Sequence, residues 1–480
     1  MHKQVISEIV ENNICVGCGI CAGCCPSKNL NMGWLHNGDL APSINSECPS
    51  KCNICLKVCP FSEDIPNETE IAEARFKKTD NSYDEVLGFY CSTYVGFSKD
   101  ENQRSASASG GALTRILKDL LLNKEISSVF CVGQSNSKNT LFEFKEVTNI
   151  NELDKCASSK YYPVDTSKII KLLLDEKDSD RKIAITGLPC TLKGISLAMN
   201  QFPKLAQQIK FLFGLTCGSL PNKYYTEYLS AVSLGNRSAP ITDVDFRSKA
   251  GTVKSSNYQF IARSNDRDGK PLPFNDVVSN IFVNGMFQFN SCNFCDDIFA
   301  EVADITIMDA WLPEYSSDPK GTSLIIIRSK ILEEKILNSS SIGNLHIKGI
   351  SPEKIIQSQN GVILKKRVNL PYRLSWNIKN GVHAPQKRVD PKKHLPWLMN
   401  LRISSRIKLQ ESSKQLWLSG SSPAEIMSNP SISKALTTLK ILSLISRFKK
   451  LILNPNLMLT TMCRKLSTYP KQILREENES

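Results

Sequence analysis

The segments CVGCGICAGCCP at residues 15–26 and CPSKCNICLKVCP at residues 48–60 hold nine of the chain's seventeen cysteines. Cys15, Cys18, Cys21 and Cys25-Pro26 follow the C-x2-C-x2-C-x3-C-P spacing by which thiolates hold a [4Fe–4S] cube. Three cysteines two residues apart let one tight loop turn three sulfurs onto one cluster. Gly17, Gly19 and Gly23 leave the backbone room to wrap it. The second segment nearly repeats the run, with one extra residue between Cys48 and Cys52.

In two-cluster ferredoxins the Cys-Pro of each run serves the other cube. The expected ligand sets are therefore Cys15, Cys18, Cys21 and Cys59 for one cluster, and Cys48, Cys52, Cys55 and Cys25 for the second. Cys24 is the spare. Zinc is the rival metal, but it takes paired C-x2-C knuckles a dozen or more residues apart rather than three thiols in series closed by Cys-Pro. Disulfides need an oxidising compartment, and the opening residues MHKQVISEIVENN are charged and lack the apolar core of a secretion signal. Seventeen cysteines in that setting point to metal or redox chemistry in the cytoplasm.

A chain of 480 residues with 41% hydrophobic content can bury substantial cores. No uncharged apolar run approaches the roughly 20 residues of a membrane-spanning helix. The net charge of +13 is concentrated at one end: from Gln386 to Ser480, seventeen Lys or Arg stand against six Asp or Glu.

Four regions follow from the pattern. Residues 1–62 form a ferredoxin-type domain with its two [4Fe–4S] clusters, and 63–85 a polar connector. Residues 86–375 alternate strand and helix patterns, and 376–480 form a basic, mostly helical extension. The fold class is mixed α+β and α/β. Within the third region, FYCSTYVGFS reads as a strand and ASASGGALTRILKDLLLN as a loop feeding a helix. Ser107, Ser109, Gly110 and Gly111 sit where that helix begins, a place that suits either an ordinary N-cap or a phosphate cradle. Lys160 beside Tyr161 offers a cation next to an aromatic face.

Two strand-turn-helix units come next. In RKIAITGLPCTLKGISLAMNQ, Cys190 falls at a helix N-terminus, which lowers a thiol pKa and favours a metal-bound or reactive thiolate. In IKFLFGLTCGSLPN, Cys217 occupies the equivalent turn. Two successive strands ending in cysteine suggest the carboxyl edge of an α/β sheet, where such folds place their sites. With Cys292 and Cys295 of CNFC they make a four-thiol set that suits a third [4Fe–4S] cluster or, less well, a zinc site. Cys91, Cys131, Cys156 and Cys463 lack partners at ligand spacing and read as buried free thiols.

Taken in order, the double cysteine run, SASGG, SSKYYPV, TGLPCTLKG, LTCGSLPN, DFRSKAGTV and CNFC leading to ADITIMDAW resemble the coenzyme F420 hydrogenase/dehydrogenase beta subunit family, from about Cys15 to Arg328. The resemblance implies an iron–sulfur flavoprotein carrying FAD and moving electrons between clusters and an organic acceptor. It places Ser109, Gly110, Gly111, Ser159, Lys160 and Tyr161 in flavin-site motifs and Cys190, Cys217, Cys292 and Cys295 at the family's thiol positions. The chain departs from the family in two places. Cys217-Gly218 stands where Cys-His-Gly is common, and Met308-Asp309-Ala310-Trp311 where Gly-Asp-Phe-Trp is common. Arg247 and Lys249, on a strand and hairpin, suit an anionic substrate or phosphate. Asp309 and Lys160 are the candidate proton donors.

The tail segment SISKALTTLKILSLISRFKKLIL places Leu436, Leu439, Leu442, Ile445 and Phe448 among Lys434, Lys440, Arg447, Lys449 and Lys450. Such a basic amphipathic helix either docks on the protein's own body or makes a peripheral membrane contact. No nucleic-acid module accompanies the charge. The expected partners are a redox partner protein or ferredoxin and a small-molecule acceptor. The rivals are a relay subunit without its own substrate site and a zinc module joined to a non-redox enzyme.

Overall fold

The computed structural model describes residues 4–46, 48–49, 52–77, 80–137, 139–176, 180–265 and 267–453. Cys463 lies outside them, as do the side chains of Arg447, Phe448, Lys449 and Lys450.

The strands in chain order are β1 (Leu30–Trp34), β2 (Leu40–Ile44), β3 (Ser82–Asp84), β4 (Gly88–Tyr90), β5 (Ser92–Ser98), β6 (Ser128–Gln134), β7 (Phe142–Val147), β8 (Ile183–Gly187), β9 (Ile209–Leu215), β10 (Asp243–Ser248), β11 (Gln259–Arg263), β12 (Leu272–Pro273), β13 (Ile305–Asp309), β14 (Ser323–Ile327) and β15 (Leu345–Gly349). Eight of them form one mixed sheet in the order β15-β5-β14-β13-β9-β8-β6-β7. Its centre, β13-β9-β8-β6, is parallel, and antiparallel strands flank it on both sides. IAITG of β8 and SLIII of β14 are buried at every residue, as strands covered on both faces must be.

Alternate residues of the central strands supply the two faces. Phe211, Phe213, Ile305 and Ile307 pack under the helix Ala112–Leu122, while Ile183, Ile185 and Leu212 pack under the helices Ser167–Asp175 and Pro189–Gln201. A separate three-stranded sheet, β10-β11-β12, buries Phe246 and Phe260 with Tyr225 and Tyr228.

The cysteine-rich N-terminal segment shares the second of these cores. Ile14, Val16, Ile20, Ala22, Val58 and Phe61 sit in one apolar cluster with Ile170, Leu173, Leu192 and Ile195. A Cβ at Gly23 would lie 2.6 Å from Ile170 Cβ, so this close approach requires glycine. Thr166 fixes the loop by donating from its N–H (2.9 Å) and its hydroxyl (2.8 Å) to the Cys18 carbonyl.

At the other end, helix Trp397–Leu418 packs against helix Pro430–Leu453. Ile432, Ala435, Leu439 and Leu442 of the latter are buried. The apolar side that a membrane contact would need is largely turned onto the protein itself, leaving Ile441, Leu444 and Ile445 partly exposed. Among the described residues no helix is long and apolar enough to cross a membrane.

Candidate functional site

The parallel strands β8, β9 and β13 all end on one edge of the sheet. Cys190 lies in the first turn of the helix after β8, Cys217 just past β9, and Asp309 at the last position of β13. The 3-10 turn Asn290–Asn293 brings Cys292 to the same edge, and Cys295 follows it.

The N-terminal cysteines gather into two groups. Cys15, Cys18, Cys21 and Cys59 line one cavity of about 310 Å³. Cys25, Cys48, Cys52 and Cys55 line another of about 320 Å³. Each cavity therefore takes three thiols from one run and the Cys-Pro thiol of the other. Backbone N–H groups point at the sulfurs: Gly17 donates to Cys15 at 3.4 Å, Ile20 to Cys18, and Phe61 and Ser62 to Cys59. Burial pushes the thiol pKa of Cys15 up to about 12 and that of Cys59 to about 11. Thiolates at these positions need compensating positive charge, which iron would supply. Cys24 lines neither cavity and is buried.

Cys190, Cys217, Cys292 and Cys295 form the third group. Burial raises the Cys190 thiol most, and the sulfurs of Cys295, Cys217, Cys292 and Cys18 raise it further. The loop of the first group packs on the helix that carries Cys190, where a Cβ on Gly194 would lie 3.0 Å from Ile20 Cγ1. Leu220 N–H donates to Cys292 Sγ at 3.2 Å. Lys366, fully buried, donates to the carbonyls of Cys217 (3.2 Å) and Asp297 (2.6 Å). Burial alone would drive this ammonium toward neutrality, but the sulfurs of Cys295, Cys217 and Cys292 hold its pKa above the ordinary lysine range. Among the described residues no three Cys, His, Asp or Glu side chains converge as a single-ion site would require.

The family-motif residues meet beside this third group. Arg247 forms two hydrogen bonds to Asp309, Nη1 to Oδ2 at 2.9 Å and Nη2 to Oδ1 at 2.8 Å. Its guanidinium lies 4.4 Å from the Tyr258 ring centroid and 5.7 Å from that of Trp311. Tyr161 packs on Phe246 and Phe282 and is close enough to Arg247, Tyr258 and Cys217 to feel their charges. Lys249 donates to the carbonyls of Lys320 (2.6 Å) and Arg104 (3.3 Å), joining this constellation to the Ser109-Gly110-Gly111 turn. There, both glycines have left-handed backbone, and a Cβ on Gly110 would lie 2.8 Å from the Gly321 carbonyl. Ser159 is half-buried in the loop before Tyr161.

Lys160 has a structural task in this arrangement. Its ammonium donates to the carbonyls of Cys156, Ala157 and Ser158 at the end of helix Ile150–Cys156. That satisfies helix-end acceptors and uses its three protons. Cys131 and Cys156, read from the sequence as buried free thiols, lie near enough to shift each other's titration, Cys131 upward and Cys156 downward.

A polar cofactor fits this edge on one observation. Arg247 Nε, Arg104 Nε, Gln103 Nε2, Ser107 Oγ and Thr216 Oγ1 are buried without hydrogen-bond partners, an arrangement that folded proteins otherwise avoid. Sequence reading missed Arg104, Tyr258, Trp311 and Lys366. The adjacent lysines of Ile363-Leu364-Lys365-Lys366 were the available signal for the last.

The family profile for the N-terminal part of the "Coenzyme F420 hydrogenase/dehydrogenase, beta subunit" matches residues 93–171, and the profile for the C-terminal part of the same protein matches 180–353. The coenzyme F420-dependent sulfite reductase of Methanocaldococcus jannaschii is 26% identical over 350 residues, covering 70% of this chain and 47% of that protein. The chain thus spans about half the length of this curated relative. A chain of the F420-reducing [NiFe] hydrogenase complex from Methanosarcina barkeri, solved as a xenon derivative, aligns with a TM-score of 0.47 at 16% identity, covering 63% of this chain and 99% of that one.

Proposed function

The chain belongs to the coenzyme F420 hydrogenase/dehydrogenase beta subunit family, a family of oxidoreductases, and on that premise we propose that it is an iron–sulfur flavoprotein relaying electrons between three [4Fe–4S] clusters and FAD, and on to an organic acceptor. The observation that carries this reading is the packing of the cysteine-rich loop on helix Pro189–Gln201, whose first turn carries Cys190: a Cβ on Gly194 would lie 3.0 Å from Ile20 Cγ1, between Cys18 and Cys21. The third group in turn lies against Tyr161, which packs in the Arg247–Asp309 constellation. A route so built keeps redox centres close and buried.

Bound clusters would supply one-electron transfer, and bound FAD the exchange between single electrons and electron pairs. The protein's own residues hold and tune these groups. The backbone N–H groups aimed at Cys15, Cys18, Cys59 and Cys292 offset thiolate charge. Lys366 adds a fixed cation beside the third group. Arg247 orients Asp309 through a bidentate pair. Lys249, Arg104 and the Ser109-Gly110-Gly111 turn present donors for a pyrophosphate.

In this reading a redox partner protein or ferredoxin exchanges electrons with the clusters. Anaerobic purification tests the whole reading. About twelve irons per chain with bound FAD supports it. Iron without flavin favours a relay subunit lacking its own substrate site, and zinc alone overturns both.

A further inference from the structure

Helix Trp397–Leu418 crosses over the segment 284–294 and the helix Leu370–Lys379, and a pocket partly open to solvent lies between them. Among the described residues its walls carry four cations, Lys365, Arg373, Arg402 and Arg406, with amides including Asn293 and Gln410, and no carboxylate. Uncompensated buried cations are costly. Here the charges acting on them most are one another and the neighbouring sulfurs. Burial lowers Arg406 to about 10, helped by Arg402. It lowers Arg373 to about 9, helped by Arg406.

The hydrogen-bond inventory is also incomplete. Arg373 Nε donates to the Asn293 carbonyl at 2.5 Å and Nη1 to the Lys365 carbonyl at 2.6 Å, but Nη2 is buried without a partner. Arg373 is only 9% exposed. Arg406 Nε is likewise unpartnered. Lys365 donates to Gln288 at 2.9 Å, and Arg402 to the Leu442 carbonyl at 3.4 Å.

The cavity adjoins the third thiol group, for Asn293 and Phe294, which lie between Cys292 and Cys295, line it. Thiolates there would compensate Lys365 and Lys366, but Arg402 and Arg406, half-buried on helix Trp397–Leu418, face no carboxylate among the described walls of the pocket. All four cavity cations follow residue 353, where the family match ends.

We propose that this cavity binds a small organic polyanion, a molecule bearing at least two carboxylate or phosphate groups, next to the third thiol group. A planar guanidinium pair opposite Lys365 suits oxygen pairs on two acidic groups better than a single monovalent ion. The inference names the chemical class of the acceptor in the oxidoreductase reading above and rests on that reading in this respect alone; binding itself requires no electron transfer.

The test uses full-length, anaerobically purified protein and titration calorimetry with citrate and with pyrophosphate at constant ionic strength. Saturable binding of either probe is expected, weakened about tenfold or more in Arg402→Gln/Arg406→Gln. Citrate alone, or pyrophosphate alone, identifies the acidic group preferred. If the double variant folds poorly, Arg402→Gln alone, at a half-exposed position, is expected to weaken binding about threefold or more. Absence of saturable binding by both probes, or equal affinity in the variants, overturns the proposal. Iron and flavin contents of the same preparations separate the two readings. Binding in protein without iron or flavin leaves the cavity standing and removes the redox role. A fully loaded protein that binds neither probe does the opposite.

Discussion

Lys414 donates to both carboxylate oxygens of Asp39 at 2.9 Å, a buried ion pair that joins stretches 375 residues apart. Asp39 precedes β2 in the cysteine-rich segment, and Lys414 lies on helix Trp397–Leu418. Asn222, which also bonds Asp39 at 2.9 Å, ties the pair to the loop after β9. The N- and C-terminal regions therefore brace each other across the sheet domain.

Removing one partner leaves a buried charge uncompensated, which costs about 3–5 kcal/mol. Lys414→Met is expected to lower unfolding stability by about 3 kcal/mol, read by denaturant titration. Asp39→Asn/Lys414→Met should recover part of the loss, because the stranded carboxylate is gone. A single-variant loss below about 1 kcal/mol would show that the brace is dispensable.

The cysteine groups make separate predictions. Cys21→Ser, Cys55→Ser and Cys292→Ser each remove one thiol from a different group, so each should lose up to about four irons per chain. Cys24→Ser, outside both N-terminal cavities, should retain full iron. Colorimetric iron analysis with electron paramagnetic resonance of the reduced protein reads both results.

Lys366→Met removes a cation held by the sulfurs of Cys295, Cys217 and Cys292. A nearby positive charge favours the more negative, reduced state of a centre. The potential of the third centre should therefore fall by about 60 mV or more, a tenfold change in a one-electron equilibrium. Redox titration followed by spectroscopy measures it, and an unchanged potential would falsify the assigned tuning role.

Burial, then the neighbouring Arg247 cation, lowers Lys249 to about 8. The side chain is thus charged below about pH 8 and neutral above it. If it binds a pyrophosphate, FAD retention should be strongest below pH 8 and decline as pH rises through that value. Lys249→Met should weaken FAD binding and flatten the pH profile, checked by flavin release. Without an anion the sign for stability is the reverse. The lysine's folded pKa lies below its unfolded one, so its burial penalty is full below about 8 and is relieved as pH rises toward 10.5.

The parts of the fold legible from sequence are those set by local spacing. Cysteines two residues apart can face one cluster whatever the rest of the chain does, because a loop's reach is short and glycine permits its turns. A buried strand followed by a helix start likewise marks a sheet's carboxyl edge, which is why Cys190 and Cys217 fall at the ends of neighbouring parallel strands. Lys160 shows the limit: a cation beside a tyrosine looked like a ligand, yet the three carbonyls it caps belong to a helix end defined only by the folded loop. Cys131 and Cys156 meet because β6 and a helix end are apposed, which their spacing does not reveal.

By itself, the sequence determined the mixed α/β class and the family, and it set out the thiol spacings. Tertiary structure decided that the cysteine-rich loop packs on the helix carrying Cys190, that Lys366 donates to the Cys217 carbonyl, that Asp39 is braced by Lys414, and that four cations line one pocket with no carboxylate among the described residues. Short-range patterns are constrained by backbone geometry, which the residues between two positions specify. Contacts between residues hundreds of positions apart arise only when burial of apolar faces brings their elements together.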